Sequence, residues 1–310
     1  MRETAERICD RMESILVGKR DAAESVLCAL LCNGHVLIED VPGTGKTTLA
    51  TSLAHLLGCS FQRVQFTPDL MPSDLTGFSV MDAAGKLSFH SGLVFHQILL
   101  ADEINRASPK TQSALLEAMQ ERQVTVDGKT YRLDAPFLVL ATQNPVDHVG
   151  TFPLPEAQLD RFFMRVSLGY PTLAEETEIL EQHDRTSSEN RQPLAPMLTS
   201  EDVLALQASV ASVYAAAPLK QYIAAIAAAT REHRDLRLGA STRGAIYLMT
   251  AAKGLAWLKG RDYATPADVK RAMPFVLPHR IHVSSEARLR DVTPESVLRE
   301  IAAAVPVPEA

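Results

Sequence analysis

Apolar positions follow two different patterns along the chain, and the change comes near residue 171. Upstream, short apolar runs end in polar or acidic residues. Residues 35–38 run into Glu39-Asp40, 97–101 into Asp102-Glu103, and 137–142 into Gln143-Asn144-Pro145. Unbroken runs of this length suit parallel strands buried on both faces. Residues 61–66 add a strand with partial alternation, and 163–166 a last one before Tyr170-Pro171.

Between these strands the spacing predicts helices. Residues 3–32 form two, interrupted at Val17-Gly18-Lys19-Arg20, and another follows residue 46. Ser108-Pro109 supplies a cap and a first-turn proline. The helix it starts carries Ala114, Leu115, Ala118 and Met119 on its buried stripe and Lys110, Glu117 and Glu121 on its wet face. A short helix over 154–163 presents Arg161. Two hairpins interrupt the alternation. One is centred on the turn at 82–85, and the other on Asp127-Gly128, the dipeptide of a type I′ turn.

Downstream, residues 172–183 read as helical, and 185–200 are polar and proline-bearing. From 201 the chain is alanine-rich, with helices expected near 201–214, 218–234, 242–258 and 265–273 and no strand. The expected organisation is an α/β core over 1–170 with hairpins inserted at about 78–89 and 124–133, a linker over 171–200, and a helical domain over 201–310.

Composition narrows the chemistry. The 310 residues are 46% apolar and 22% charged with a net charge of −6, which argues against a protein that coats nucleic acid. No stretch approaches the roughly 18 apolar residues of a membrane span. The charged start Met1-Arg2-Glu3-Thr4-Ala5-Glu6-Arg7 is not a signal peptide, so a cytoplasmic location is expected. Cys9, Cys28, Cys32 and Cys59 lack metal-ligand spacing and read as buried thiols. The nine histidines form no metal or triad signature, and His90 and His96 read as surface residues.

The chemistry concentrates after the first strand. Pro42-Gly43-Thr44-Gly45-Lys46-Thr47-Thr48 leads from strand to helix in the manner of a phosphate-binding loop. Such a loop turns backbone N–H groups inward, and the positive helix end adds to the anion site. Lys46 would meet the β- and γ-phosphates, and Thr47 would ligate Mg²⁺. The first glycine of that pattern is replaced by Asp40, and Thr48 stands where a dinucleotide fingerprint needs glycine. An ordinary glycine turn before a helix is the competing reading.

Asp102 and Glu103 stand at a strand's carboxyl end, the position to hold Mg²⁺ and to polarise water respectively, with a solvated acidic turn as the alternative. Asn144 either reaches the same site or forms a turn before Pro145. Val17-Gly18-Lys19 is either a contact for a base or a helix-to-helix turn. Arg161 by itself is a surface or ion-paired arginine. Arg243 lies in the first turn of the helix that follows Gly239-Ala240-Ser241-Thr242.

Together these segments resemble the MoxR family of AAA+ ATPases from about residue 10 to 290. The resemblance is carried by Glu39-Asp40-Val41-Pro42-Gly43-Thr44-Gly45-Lys46-Thr47, by residues 66–77, by Leu100-Ala101-Asp102-Glu103-Ile104-Asn105-Arg106-Ala107, by Ala141-Thr142-Gln143-Asn144-Pro145, and by residues 152–162. It implies a five-stranded parallel sheet between helices followed by a helical lid, with ATP and Mg²⁺ as ligands. Residues 42–48 would be Walker A, Asp102 and Glu103 Walker B, and Asn144 sensor 1. Arg161 would be an arginine finger acting on a neighbouring subunit, with Arg106 and Arg165 as alternatives, and Arg243 sensor 2, acting in its own subunit or a neighbour's. The first hairpin would be the helix-2 insert of this clade, although His90-Ser91-Gly92-Leu93-Val94-Phe95 replaces the family's usual Gly-Pro-containing stretch.

The resemblance further implies a homo-oligomeric, hexameric ring with ATP, a von Willebrand A-domain partner and a client enzyme. Chelatase motor subunits and enzyme activators share this core. A nucleic-acid motor is the more distant alternative, which the acidic balance disfavours.

Overall fold

A computed structural model describes residues 2–81, 87–144, 150–185 and 194–308. The expected turn at 82–85, Pro145 and part of the 185–200 segment lie outside the described residues.

Five short strands form one parallel sheet: β1 (Val36–Glu39), β2 (Phe61–Gln65), β3 (Ile98–Asp102), β4 (Leu138–Gln143) and β5 (Met164–Val166). Their order across the sheet is β2-β3-β4-β1-β5. The register aligns their carboxyl ends, with Gln65 opposite Asp102, Ala101 opposite Ala141, and Glu39 opposite Gln143. Polar residues at those ends therefore share one edge of the sheet, where ligands of open α/β sheets bind.

Each strand sends alternate side chains to opposite faces. Val36, Ile38, Ile98, Leu100, Leu138 and Leu140 join one core with the helices Arg2–Glu13, Arg20–Leu31 and Lys46–Leu56. Leu37, Leu99, Ala101, Val139 and Ala141 join a second core with the helix Pro109–Glu121. Ser108 caps that helix, its hydroxyl accepting from the Thr111 N–H at 3.3 Å. Burial on both faces explains why the central strands lack alternation.

The hairpins pair as the patterning implied. Phe78–Met81 runs against Leu87–His90, and Gln123–Val126 against Lys129–Arg132. Asp127 and Gly128 have φ of 50° and 74°, as a type I′ turn requires. Phe89 stacks on Tyr131, tying the hairpins to each other, while Met71, Phe78, Val80, Met81 and Leu87 remain exposed.

The second region packs onto the first through the same core. Its helices Ser200–Ala211 and Thr242–Leu258 lie against the helix Arg20–Leu31, where the Gln207 side chain donates to the Leu30 carbonyl at 2.7 Å. The helices Ala217–Glu232 and Pro266–Val276 follow the expected pattern, and Pro294–Ala304 adds another.

One expectation is corrected here. The region is not strand-free, because Leu236–Leu238 pairs antiparallel with His282–Val283. A strand pair of three and two residues is too short to show a period, and its partners lie more than 40 positions apart. Among its described side chains the helix Leu173–Arg185 contributes none to the core, and Tyr170, Leu173 and Leu180 are exposed.

Candidate nucleotide site

At the carboxyl edge of the sheet lies a cleft of about 300 Å³ lined by Pro42, Gly43, Gly45, Lys46, Thr47, Thr48, Arg63, Gln65, Asp102, Glu103, Thr142 and Asn144. Gly45 precedes the helix Lys46–Leu56 with φ of 90°, a conformation that side chains resist, and this lets the loop close onto the helix start. The first helical N–H groups have no partner within the helix and so can receive an anion. The Lys46 ammonium donates to the Asp40 and Val41 carbonyls at 3.1 and 3.0 Å. It thus lies along the loop, one side-chain rearrangement away from a phosphate.

Asp40 does more than replace a glycine. It is 6% exposed, and its carboxylate accepts from the Val41, Leu168 and Gly169 N–H groups at 3.1, 2.5 and 2.9 Å.

The two strand-end acids are held by different neighbours. Asp102 accepts from Thr142 Oγ1 at 2.6 Å through one oxygen and from the Arg63 guanidinium at 2.7 Å through the other. Glu103 has φ of 56°, unusual for a residue with a side chain. Its N–H donates to Thr142 Oγ1 at 2.8 Å, and its Oε2 accepts from Gln65 at 2.6 Å and Arg106 at 3.0 Å. Backbone strain of this kind concentrates at functional sites. The buried Thr142 hydroxyl therefore fixes both acids relative to β4, and Asn144 follows at the end of that strand.

The donor chemistry fits a divalent cation beside a polyphosphate. Lys46, Arg63 and the helix start favour anionic oxygens, while the Thr47 hydroxyl and the Asp102 carboxylate are hard oxygen donors of the kind Mg²⁺ takes.

Two expected site residues lie elsewhere in the chain's own fold. Arg161 is half-buried and is not among the residues lining the cleft. Arg243 donates to Asp160 at 3.2 Å, beside Ser241 at 2.9 Å and Arg280 at 3.0 Å on the same carboxylate. Arg280 is buried, and burial pushes its pKa down to about 10 against the opposing pull of Asp160. Asp160, Ser241 and Arg280 border a separate cleft of about 610 Å³ that also includes Glu156, Arg231 and Arg237. Of the alternative arginines, Arg106 holds Glu103 of its own chain, and Arg165 bridges Glu39 at 3.0 Å and Glu295 of the helical region.

Arg63, Gln65 and Thr142 line the cleft without having been singled out by sequence. Arg63 and Gln65 lie two apart on one face of β2, which would have been a usable signal had the strand order been known. Only the pairing of β2 with β3 brings them beside Asp102 and Glu103.

Comparison with known proteins places this geometry among relatives. Residues 35–164 match the model of the ATPase family associated with various cellular activities (AAA), and residues 228–301 match an AAA lid domain. The chain is 49% identical to the uncharacterised protein YeaC of Bacillus subtilis over 96% of its length and 93% of the relative. It is 40% identical to Chaperone MoxR1 of Mycobacterium tuberculosis, over 99% of this chain and 83% of that one. It is 32% identical to Protein MoxR of Paracoccus denitrificans, over 96% and 95%. A crystal structure of a candidate ATPase from Cytophaga hutchinsonii superimposes with a TM-score of 0.92 at 38% identity, covering 99% of this chain and 96% of that one.

Proposed function

The chain belongs to the MoxR family of AAA+ ATPases, and on that footing we propose that it couples Mg²⁺-dependent ATP hydrolysis to the remodelling or maturation of a partner protein complex in the cytoplasm. One observation carries the chemical part. A phosphate-type loop with Lys46 and Thr47 lines the same cleft as two strand-end carboxylates, Asp102 and Glu103.

Lys46 leaves the Asp40 and Val41 carbonyls to meet the β- and γ-phosphates. Thr47 and Asp102 would hold Mg²⁺, which when bound would neutralise charge on the phosphate oxygens. Glu103 turns from Gln65 and Arg106 toward a water, orients it for in-line attack and takes its proton, with Asn144 as the second orienting group. The bond to the leaving oxygen breaks as the new P–O bond forms, giving ADP and phosphate. Arg161 of a neighbouring copy stabilises the charge that develops, and Arg243 acts from the lid.

Residues 1–170 then serve as the motor, 171–200 as a linker and 201–310 as the lid of a hexameric ring. A von Willebrand A-domain protein and a client enzyme are the partners the family reading supplies. The exposed apolar side chains of the first hairpin support a role in contacting other proteins.

The test is nucleotide binding and turnover on the purified full chain. Lys46→Ala loses binding of a fluorescent ATP analogue, whereas Glu103→Gln binds it, turns over slowly and stabilises the oligomer. Turnover by Glu103→Gln at the wild-type rate would remove Glu103 from its role. If that trapped ring formed no complex with a purified von Willebrand A-domain protein from the same organism, this partner would be removed from the proposal.

A further inference from the structure

Every polar atom of Asp40 is engaged, and its partners belong to three different segments. Its N–H donates to the Gln143 carbonyl at 3.2 Å, next to Asn144. Its carbonyl accepts from Lys46. Its carboxylate accepts from Val41 in the phosphate loop and from Leu168 and Gly169, just beyond β5. A glycine at this position could supply only the first two of these contacts.

Leu168 and Gly169 open the segment that leads into the helix Leu173–Arg185. That segment is tied down again two residues later. The Lys19 ammonium donates to the Tyr170 carbonyl at 3.2 Å. Thr172 and Glu175 form a reciprocal cap, with the Thr172 N–H donating to Glu175 Oε2 at 2.7 Å. Glu175 also lies over Gly18, where an added Cβ would come within 1.8 Å of Glu175 Oε1. Residues 168–175 thus run from the phosphate loop to the Gly18–Lys19 turn as one braced strip, while the described side chains of the helix beyond contribute nothing to the core.

We propose that Asp40 is a positioning residue that ties the phosphate loop to residues 168–175, so that phosphate binding at Lys46 is transmitted to the start of the helix Leu173–Arg185. The proposal rests on the ATP-binding reading above. Lys46 is bonded to the carbonyl of the residue whose carboxylate holds the strip. Moving the ammonium to a phosphate frees that carbonyl and shifts the loop that Asp40 anchors. Two charge-assisted bonds to consecutive N–H groups make the link strong enough to carry the shift.

The experiment is hydrogen–deuterium exchange on full-length wild type, Asp40→Gly and Asp40→Asn, each with and without a non-hydrolysable ATP analogue. Asp40→Gly restores the usual phosphate-loop glycine, so a merely tolerated variation would leave exchange at 168–176 unchanged. The expected result without nucleotide is exchange at 168–169 faster by about tenfold or more, the consequence of losing hydrogen bonds to a charged acceptor. With the analogue, wild type gains protection at 41–48 and changes at 168–176 together. Asp40→Gly retains protection at 41–48 and loses the response at 168–176.

Asp40→Asn keeps the side-chain size but sets an amide against N–H donors, and gives an intermediate result. It also provides the reading if Asp40→Gly fails to fold. A wild-type response at 168–176 in both variants would overturn the proposal, as would a wild type that protects 41–48 alone. If nucleotide protected no segment of the wild type, the ATP-binding reading would fail and the transmission with it. The tether itself would still be decided by the nucleotide-free comparison.

Discussion

Gln65 donates to Glu103 Oε2 at 2.6 Å, and Arg106 holds the same oxygen at 3.0 Å. The acid proposed to orient water is therefore held by two donors that compete with that water. A hydrogen bond to a charged group contributes about 1.5–3 kcal/mol net of its exchange with water. Releasing one of the two should free Glu103 for part of that cost. Gln65→Ala is expected to raise unstimulated ATP turnover severalfold at saturating ATP, with little change in nucleotide affinity, as measured by phosphate release. A fall in turnover would mean instead that Gln65 aims Glu103 productively.

Neither Arg161 nor Arg243 lines the cleft of its own chain, and Arg243 is paired with Asp160. An arginine supplied in trans is worth roughly 10³–10⁵ in rate. Arg161→Ala should bind ATP normally and lose turnover by a factor of that order. Mixing Arg161→Ala with Glu103→Gln should restore measurable hydrolysis, because a mixed ring contains sites with an intact Glu103 facing an intact Arg161. No recovery on mixing, with both variants shown to co-assemble, would count against action between subunits.

The central strands were legible because burial on both faces leaves an uninterrupted apolar run, and the phosphate loop because its glycines and lysine are contiguous. Gln65 and Arg63 were not, since their value comes from β2 lying next to β3, a fact of strand order that local pattern does not encode. Asp40 read as a lost glycine because its partners, Leu168 and Gly169, lie almost 130 residues away. The strand pair Leu236–Leu238 and His282–Val283 was hidden by brevity. Local chemistry shows in the sequence, whereas juxtaposition across the fold does not.

The lid approaches the core at Gly254. A Cβ added there would lie 2.6 Å from Cys32 Sγ and 2.7 Å from Cys28 Sγ, so the thiols of the helix Arg20–Leu31 and of its capping residue fill the space a side chain would need. Within a helix, alanine is ordinarily better than glycine by about 1 kcal/mol. Overpacking a tight core costs about 1–3 kcal/mol, which opposes and outweighs that gain. Gly254→Ala should therefore lower the urea midpoint. Adding Cys28→Ala and Cys32→Ala should recover part of the loss, a non-additivity expected of groups in contact. A stabilised Gly254→Ala would show that the helices can part at no cost.

Two histidines are buried in ways that disfavour protonation. The His35 ring lies between the Met119 carbonyl and the Val139 N–H, both at 3.0 Å, and burial pushes its pKa down to about 3. Burial, with Arg280 adjacent, also lowers His279 well below the ordinary value. Both regain a pKa near 6.5 on unfolding. Below that pH the unfolded chain binds protons that the native one does not, so stability is full above about 6.5 and falls as the solution is acidified. Each such group contributes a slope of about 1.4 kcal/mol per pH unit once the unfolded imidazole is protonated. Urea unfolding followed from pH 8 to 5 should show a flat stability down to about pH 7. A decline should follow, reaching roughly 2–3 kcal/mol per unit near pH 5. The loss for His35 continues until the pH nears 3. A flat profile through pH 5 would mean that these rings are protonated in the native state.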